Sequence, residues 1–262
     1  MREQRGFLCY DAERDRYSID WRESLSIVVG ELLLKEILAA RPYMRGRLLD
    51  VGCGKRPYAL IYESLVDMSI GTEVVFSPHG TAAADVIGCA EVLPFASGSF
   101  DTILCTEVLE HTRRPFQVME EFARMLKPGG HLLLSAPFIY PVHEAPHDYW
   151  RFTAHGLEAI CQGAGLDVVC IRPKGRALTA LFVMLLHFTV WGLNLLSRFF
   201  PGSKPLRDVT VVRLALDKVQ RGWLGVTSLL EPKGSEQALG LAAGCFIVAT
   251  RRDRGDEALP TG

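Results

Sequence analysis

The stretch Leu48-Leu49-Asp50-Val51-Gly52-Cys53-Gly54-Lys55-Arg56-Pro57 decides the fold of this chain. Its apolar pair running into Asp50-Val51 is typical of the end of a buried parallel strand. Gly52 and Gly54 then form a tight turn that can approach a ligand closely, because neither residue carries a Cβ atom. Glu73 follows on a second strand-like run, at about the ~20-residue spacing at which an acid can accept hydrogen bonds from a ribose. The sequence therefore predicts a nucleoside-binding crevice at the carboxyl ends of adjacent parallel strands.

The remaining pattern alternates strands with helices, which predicts a doubly wound, mostly parallel α/β sheet. We divide the chain into an N-terminal arm and helix (1–44), a core (45–175), a hydrophobic and amphipathic helical insert (176–240), and the last core strand with a tail (241–262). Residues 1 to about 22 are expected to be extended or loosely ordered. Helices are predicted at Ser24–Ala40, Pro115–Met125 and from the Thr153 cap to Gly163, and strands at Arg47–Val51, Met68–Val74, Ala84–Ile87, Phe100–Cys105, His131–Ala136, Leu166–Ile171 and Gly244–Thr250.

Composition limits the classes of function. The 262 residues are 48% hydrophobic, and a formal net charge of −1 gives no electrostatic footprint for nucleic acid. Seven cysteines without a Cys-x-x-Cys pair suggest neither a disulfide framework nor a zinc site. The charged N-terminus lacks the apolar stretch of a secretory signal, so a cytoplasmic catalytic domain is expected.

Five ordered motifs resemble those of class I S-adenosylmethionine-dependent methyltransferases. They are Asp50–Gly54, Gly71–Glu73, Asp85–Phe95, Ser99–Leu104 and Met125–Leu134. The resemblance implies a Rossmann-like methyltransferase fold, S-adenosyl-L-methionine as the cofactor and these binding residues: Asp50, Gly52, Cys53 and Gly54 at its amino-acid end, Glu73 at the ribose, Val74, Cys89 and Ala90 at the adenine, and Thr106 beside the sulfonium. Two positions depart from the pattern. Arg56 stands where the family often has a third glycine, and Cys89 where many relatives have an aspartate.

A possible metal site follows the fourth predicted strand. Glu107-x-x-Glu110-His111 resembles the divalent-metal site of small-RNA 2′-O-methyltransferases and ubiquinone-pathway O-methyltransferases. Two carboxylates and an imidazole could hold a divalent metal that acidifies a substrate hydroxyl. The alternative is that this segment shapes the pocket without metal.

A second group of candidates lies in the loop from Pro137 to Thr153, whose three prolines exclude a helix or a central strand. His147, His143 and Asp148, together with His111, are the candidate catalytic residues, and His147 is the favoured general base. The alternative for Asp148 is a structural pair with Arg151. The loop is similar to those of methyltransferases associated with bacterial cell-surface glycans.

These observations predict a methyltransferase that acts on an oxygen of a glycan, a glycolipid or another lipid-linked small molecule. Two alternatives remain open at this stage. One is a non-catalytic binding or scaffold protein that retains the cofactor fold. The other is a metal-assisted nucleic-acid methyltransferase, which the missing basic patch disfavours.

The insert adds a prediction about the membrane. Ala177 to Ser197 contains no Asp, Glu, Lys or Arg, and at 1.5 Å per residue it would be about 30 Å long as a helix. A single crossing is awkward because the last strand must rejoin the same sheet. We therefore expect peripheral membrane contact through 177–230, with the protein attached to the cytoplasmic face. The alternative is a dimer interface or a helical cap buried on the sheet.

Overall fold

The computed structural model describes residues 2–20, 22, 26–197, 199, 209–230 and 241–252. The strands in these residues are β1 (Arg2–Arg5), β2 (Leu8–Asp11), β3 (Arg16–Ile19), β4 (Arg47–Val51), β5 (Met68–Glu73), β6 (Val86–Ile87), β7 (Phe100–Thr106), β8 (Leu126–Pro137), β9 (Leu166–Lys174) and β10 (Gly244–Arg251). The α-helices are α1 (Ile27–Ala39), α2 (Ala59–Tyr62), α3 (Pro115–Met125), α4 (Ala154–Gly163), α5 (Ala177–Ser197) and α6 (Thr210–Leu230).

A seven-stranded sheet forms the centre of the molecule, in the order β6-β5-β4-β7-β8-β10-β9. The pairs β6–β5, β5–β4, β4–β7 and β7–β8 are parallel, and β10 runs antiparallel to both of its neighbours. The predicted doubly wound, mostly parallel sheet is therefore confirmed. Because β4 lies where the strand order reverses, the turn after β4 opens into the crevice where such sheets bind ligands.

Both faces of the sheet are covered, which explains why its central strands are continuously apolar. Leu48 of β4 packs in a core with α1 and α2, and its neighbour Leu49 points into the opposite core with α3 and α4. Helix α3 has the predicted bounds and buries one apolar side. Helix α4 begins at the predicted cap, where the Thr153 hydroxyl accepts a hydrogen bond from the Gly156 N–H at 3.0 Å.

The N-terminal residues differ from the expectation of an extended or loosely ordered arm. They form a three-stranded antiparallel sheet, β1-β2-β3. Leu8 and Ile19 are fully buried in the core beside α1, and the Tyr17 hydroxyl donates to the Leu60 carbonyl at 3.1 Å. These few apolar anchors, spaced among many charged residues, order the segment through contacts that only the tertiary structure supplies.

The insert leaves and rejoins the sheet at one edge. Lys174, the last residue of β9, pairs with Gly244, the first residue of β10. The intervening chain forms α5 and α6, while residues 198, 200–208 and 231–240 of the predicted insert lie outside the described part of the chain. Helix α5 is long and apolar enough to cross a bilayer, yet only 22% of its most apolar window is buried in the protein.

Candidate active site

A tight glycine turn after β4 forms the base of the site. Gly52 and Gly54 have φ angles of 67° and 52°, a region that favours glycine. The N–H groups of Gly52 and Cys53 both donate to the Thr72 carbonyl, at 2.9 and 3.0 Å. A Cβ atom on Gly52 would collide with the Val108 side chain. The turn therefore needs glycine at this position both for its backbone conformation and for its close packing.

Arg56, at the position of the missing third glycine, also has a positive φ, of 51°. Its guanidinium donates to Asp85 and Ser69, both at 2.8 Å, and to the Tyr62 hydroxyl at 3.3 Å. A non-glycine residue in this region is strained, so these three bonds hold the backbone in a conformation that arginine otherwise disfavours. The turn can therefore carry Arg56 in place of the third glycine of the family pattern.

Two buried acids flank the turn. Asp50 accepts a hydrogen bond from the Tyr62 hydroxyl at 2.9 Å, and burial raises the pKa of this carboxyl to about 6. Glu73 accepts from the N–H groups of Gly54 and Val74, both at 2.8 Å, so each of its oxygens is fixed by one backbone donor. A carboxylate oxygen can accept more than one hydrogen bond. Glu73 therefore retains acceptor capacity on both oxygens.

A cavity of about 1220 Å³ lies over these residues. Its lining includes every predicted cofactor-binding residue: Asp50, Gly52, Cys53, Gly54, Glu73, Val74, Cys89, Ala90 and Thr106. The Cys89 thiol donates a hydrogen bond to the Glu91 carboxylate. The cavity exceeds the about 300–1,000 Å³ of a typical small-ligand pocket, which leaves room for a second molecule.

The residues present fit S-adenosylmethionine. The Cβ-free turn allows a ligand to lie against the backbone, and Glu73 presents a fixed carboxylate suited to the two hydroxyls of a ribose. The N–H groups of Gly52 and Cys53 are engaged with Thr72, so they are not free donors for the amino-acid end in this structure. The individual roles of these residues stay predictions.

An unpredicted apolar wall also lines the cavity. It consists of Phe7 before β2, Val29 and Leu33 of α1, Tyr58 before α2, and Tyr140. Phe7 meets Tyr58 edge to face, with 5.7 Å between ring centroids. Phe7 was missed because residues 1 to about 22 were expected to be loosely ordered, and Val29 and Leu33 because their predicted helix was assigned only to covering the sheet.

The structure pairs Glu107 with a basic residue that the sequence did not single out. Glu107 follows β7 with a φ of 54°, and its carboxylate forms an ion pair with the buried Lys174 and accepts from the Ser135 hydroxyl at 2.6 Å. Burial favours the neutral acid, but the Lys174 ammonium holds the pKa of Glu107 below its ordinary value. In this structure Glu107 is thus not grouped with Glu110 and His111 as the metal hypothesis expected.

Glu110, His111 and His143 instead come together, and we call them the histidine cluster. Oε1 of Glu110 lies 3.7 Å from Nε2 of His111 and 4.0 Å from Nε2 of His143. Glu110 is fully buried, and neither carboxyl oxygen has a hydrogen-bond partner among the described residues. Burial, reinforced by the charge of Glu107, raises the pKa of Glu110 well above its ordinary value.

The loop from Pro137 to Thr153 holds His143 in this cluster. Asp148 accepts from the backbone N–H of His143 at 2.7 Å, lies 3.2 Å from its Nδ1, and makes two bonds to the Arg151 guanidinium. Burial opposes ionisation of Asp148, yet Arg151 and the His143 N–H hold its pKa down at about 2. Burial also lowers the pKa of His143. Asp148 thus both locks the loop and orients an imidazole that is neutral at pH 7.

His147 occupies a different part of the site. Its ring packs against Phe76 with 4.9 Å between centroids, and its Nδ1 lies 3.2 Å from the Tyr149 hydroxyl. Its backbone carbonyl lies 2.7 Å from Nδ1 of His111. His147 therefore lines the cavity near the segment after β5, and its carbonyl orients His111. Its role as the general base is still a prediction.

The histidine cluster could also hold a metal ion. One ligand atom from each residue lies within 4.8 Å of the others, and the set combines one carboxylate with two imidazoles. The Nδ1 atoms of both histidines face oxygen atoms of the protein, which leaves their Nε2 atoms directed towards Glu110. Three such Lewis bases require a proton or a cation between them.

Comparisons with known proteins agree with this geometry. A family model described as a methyltransferase domain matches residues 29–171. A ubiquinone biosynthesis O-methyltransferase from Parvibaculum lavamentivorans is 32% identical over 107 residues, covering 37% of this chain and 42% of that protein. The enzyme of the same name from Ralstonia nicotianae is 31% identical over 121 residues, covering 41% and 50%. The chain thus spans about half the length of these curated relatives.

A solved structure shares the fold. Phosphoethanolamine N-methyltransferase 2 from Haemonchus contortus, in complex with S-adenosyl-L-methionine, superposes with a TM-score of 0.51 at 16% identity, covering 86% of this chain and 53% of that protein. At this identity the similarity concerns the fold alone. It does not carry a substrate from one protein to the other.

Proposed function

The chain belongs to the methyltransferase-domain family, and from that premise we propose that it methylates a hydroxyl oxygen of a lipid-linked small molecule. The protein is an S-adenosylmethionine-dependent methyltransferase, and the proposal concerns its acceptor. We propose oxygen as the methylated atom because His143, which lines the cavity, is paired with Asp148. A hydroxyl is a weak nucleophile until a base takes its proton, and this pair supplies an oriented base.

His143 is the residue best placed to take that proton. With Nδ1 facing Asp148 at 3.2 Å, Nε2 is left as the acceptor. Its lowered pKa keeps the imidazole neutral at pH 7, so it can accept a proton from the acceptor hydroxyl. The ionised Asp148 carboxylate, 3.2 Å from Nδ1, compensates the positive charge that forms on the imidazole.

The other residues of the site bind and align. S-adenosylmethionine supplies an electrophilic methyl group when it is bound. Glu73 and the glycine turn would hold the donor, and the cavity walls would place the acceptor oxygen in line with the methyl group. Such alignment can contribute much of the rate enhancement without covalent catalysis.

The apolar wall supports the choice of a lipid-linked acceptor. Phe7, Val29, Leu33 and Tyr58 offer apolar surface to a second molecule in the cavity. The relatives that the chain matches are named for ubiquinone biosynthesis. A glycolipid or another lipid-linked hydroxyl compound fits both the wall and the base.

The experiment incubates the protein with S-adenosylmethionine labelled in its methyl group and a bacterial lipid extract. Mass spectrometry then identifies the methylated atom of the labelled product. We expect an O-methyl group on a lipid. Label found on nitrogen or carbon, or only on water-soluble compounds, would overturn the proposal.

The role of the base is tested with His143→Gln. Its turnover should fall by roughly 10²–10⁴-fold while S-adenosylmethionine affinity stays unchanged. In the unaltered protein the rate should rise with pH through an ionisation below about 6.5, the ordinary value for histidine, because the neutral imidazole is the active form. The matched control is His155→Gln, since the His155 side chain is 91% exposed on α4. Normal turnover in His143→Gln would remove this residue from the mechanism.

A further inference from the structure

Helix α5 exposes a continuous apolar side. Along its 21 residues, which contain no Asp, Glu, Lys or Arg, the large exposed side chains all fall on one side of the helix. They are Leu181, Leu185, Phe188, Trp191, Leu195 and Leu196, with exposed fractions between 41% and 65%. Surface helices of water-soluble proteins normally turn this side towards the core.

The side of α5 that faces the protein is the more polar one. Thr179 is buried there, and the His187 ring meets Tyr140 edge to face at 4.9 Å between centroids. Ala180, Val183 and Leu186 are apolar residues buried beside them. Helix α5 thus turns Thr179 and His187 towards the protein, while its large exposed side chains are all apolar.

Helix α6 extends the same surface. Phe182 of α5 stacks on Trp223 of α6, with ring centroids 4.8 Å apart. Asp217 is buried and paired with Arg221 at 2.7 Å, whereas Lys218 is exposed. The exposed apolar residues of α6 include Val211, Leu214, Val219 and Val226. We call the exposed sides of α5 and α6 together the docking face. Its described exposed residues include no carboxylate, and its exposed cations are Lys218 and Arg221, of which Arg221 is paired with Asp217 and Glu31.

The chain path favours a helix that lies along a membrane over one that crosses it. A helix of this length could span about 30 Å of hydrocarbon. However, Lys174 and Gly244 are paired neighbours at one edge of the sheet, so the insert must return to its starting side. Helix α6 carries Arg213, Asp217, Lys218 and Arg221 and cannot serve as a second span.

We propose that the docking face binds the interface of a lipid bilayer that contains anionic lipids. Apolar side chains of α5 enter the boundary between headgroups and acyl chains, and the exposed Lys218 of α6 complements the negative surface. The binding itself rests on the fold and on these surfaces. The benefit to catalysis rests on the proposed function.

The protein-facing side of α5 and Arg213 of α6 border the active-site cavity. Tyr140, which contacts α5 through His187, lines the cavity beside His143, and Arg213 of α6 lines it as well. A lipid-linked acceptor held at the docking face would thus lie beside the two helices that border the cavity.

The test is co-sedimentation of the full chain with vesicles of phosphatidylcholine, with and without phosphatidylglycerol. The variant Leu185→Gln, Phe188→Gln, Trp191→Gln removes three apolar groups that are more than half exposed. We expect it to lose at least about tenfold in vesicle partitioning, and the unaltered protein to bind more tightly when phosphatidylglycerol is present. The matched control, Met68→Gln with Phe116→Gln, alters apolar residues of similar exposure outside the insert and should bind normally.

Two further measurements interpret the result. Light scattering after size exclusion, without detergent, reports whether the docking face joins two copies. A stable dimer that the triple variant converts to monomer, with no vesicle binding, would overturn the proposal in favour of self-association. Calorimetry with S-adenosylmethionine should give the same affinity for the triple variant as for the unaltered protein. If vesicles bind but no lipid is methylated, membrane docking stands and the proposed acceptor fails.

Discussion

Replacement of Glu73 by alanine tests the architecture of the cofactor site most directly. Glu73 is 6% exposed, and its two carboxylate oxygens accept from the N–H groups of Gly54 and Val74 at 2.8 Å each. One further hydrogen bond per oxygen matches the two hydroxyls of a ribose. Such charge-assisted bonds contribute a net of about 1–3 kcal/mol together, so the Kd for S-adenosylmethionine should rise about 5- to 150-fold.

Calorimetry with two ligands isolates that contribution. S-adenosylhomocysteine and its 2′,3′-dideoxy analogue differ only in the hydroxyls that Glu73 is expected to hold. Removing the hydroxyls should weaken binding to the unaltered protein by the same factor as Glu73→Ala, and should change little in the variant. If the dideoxy analogue loses equal affinity against both proteins, Glu73 does not hold the ribose.

A matched variant separates binding from folding. Asp85 also accepts a backbone N–H, that of Gly71 at 2.8 Å, and pairs with Arg56, but it does not line the cavity. Asp85→Ala should therefore resemble Glu73→Ala in its effect on thermal unfolding of the free protein while leaving the difference between the two ligands intact. Both melting curves are measured before any titration.

Three other predictions concern neighbouring parts of the site. Gly52→Ala should lower the free energy of unfolding by about 1–3 kcal/mol and abolish cofactor binding in calorimetry, because its Cβ would collide with Val108; normal binding would show that the turn can shift. Lys174→Met should lower the free energy of unfolding in urea by about 3–5 kcal/mol, because it leaves Glu107 unpaired beside the sheet, and the added change Glu107→Gln should restore most of the loss. Activity should survive exhaustive chelation; loss that Mg²⁺ or Mn²⁺ reverses would place a cation in the histidine cluster.

The cofactor end of the cavity was predictable because its signals are local in sequence. Gly52 and Gly54 lie in one turn that the sequence shows directly. Glu73 follows at a characteristic spacing in sequence, and the parallel pairing of β4 with β5 brings it beside that turn. The bounds of α3 followed from the proline at its start and its apolar periodicity. Sequence also named every member of the histidine cluster, because each lies in a loop or turn after a strand whose carboxyl end faces the cavity.

The partners of these residues were not predictable. Lys174 is 67 residues from Glu107, and their ion pair depends on the register of β9 beside β10, which no local pattern encodes. Likewise, the spacing Glu107-x-x-Glu110-His111 indicated a shared ligand set, but the left-handed backbone of Glu107 turns its side chain towards Ser135. The N-terminal sheet was missed because Leu8 and Ile19 are isolated apolar residues whose burial requires α1 to be in place.

The pairing of Lys174 with Gly244 has a consequence for how such an enzyme could diversify. Two residues that face each other across adjacent antiparallel strands can be joined by a short hairpin turn. The segment between Lys174 and Gly244 can therefore be lengthened, shortened or exchanged without a change in the register of the sheet or in the turn that follows β4. Changes in this segment can therefore alter where the enzyme is located and which substrate reaches it, while the sheet and the glycine turn stay the same.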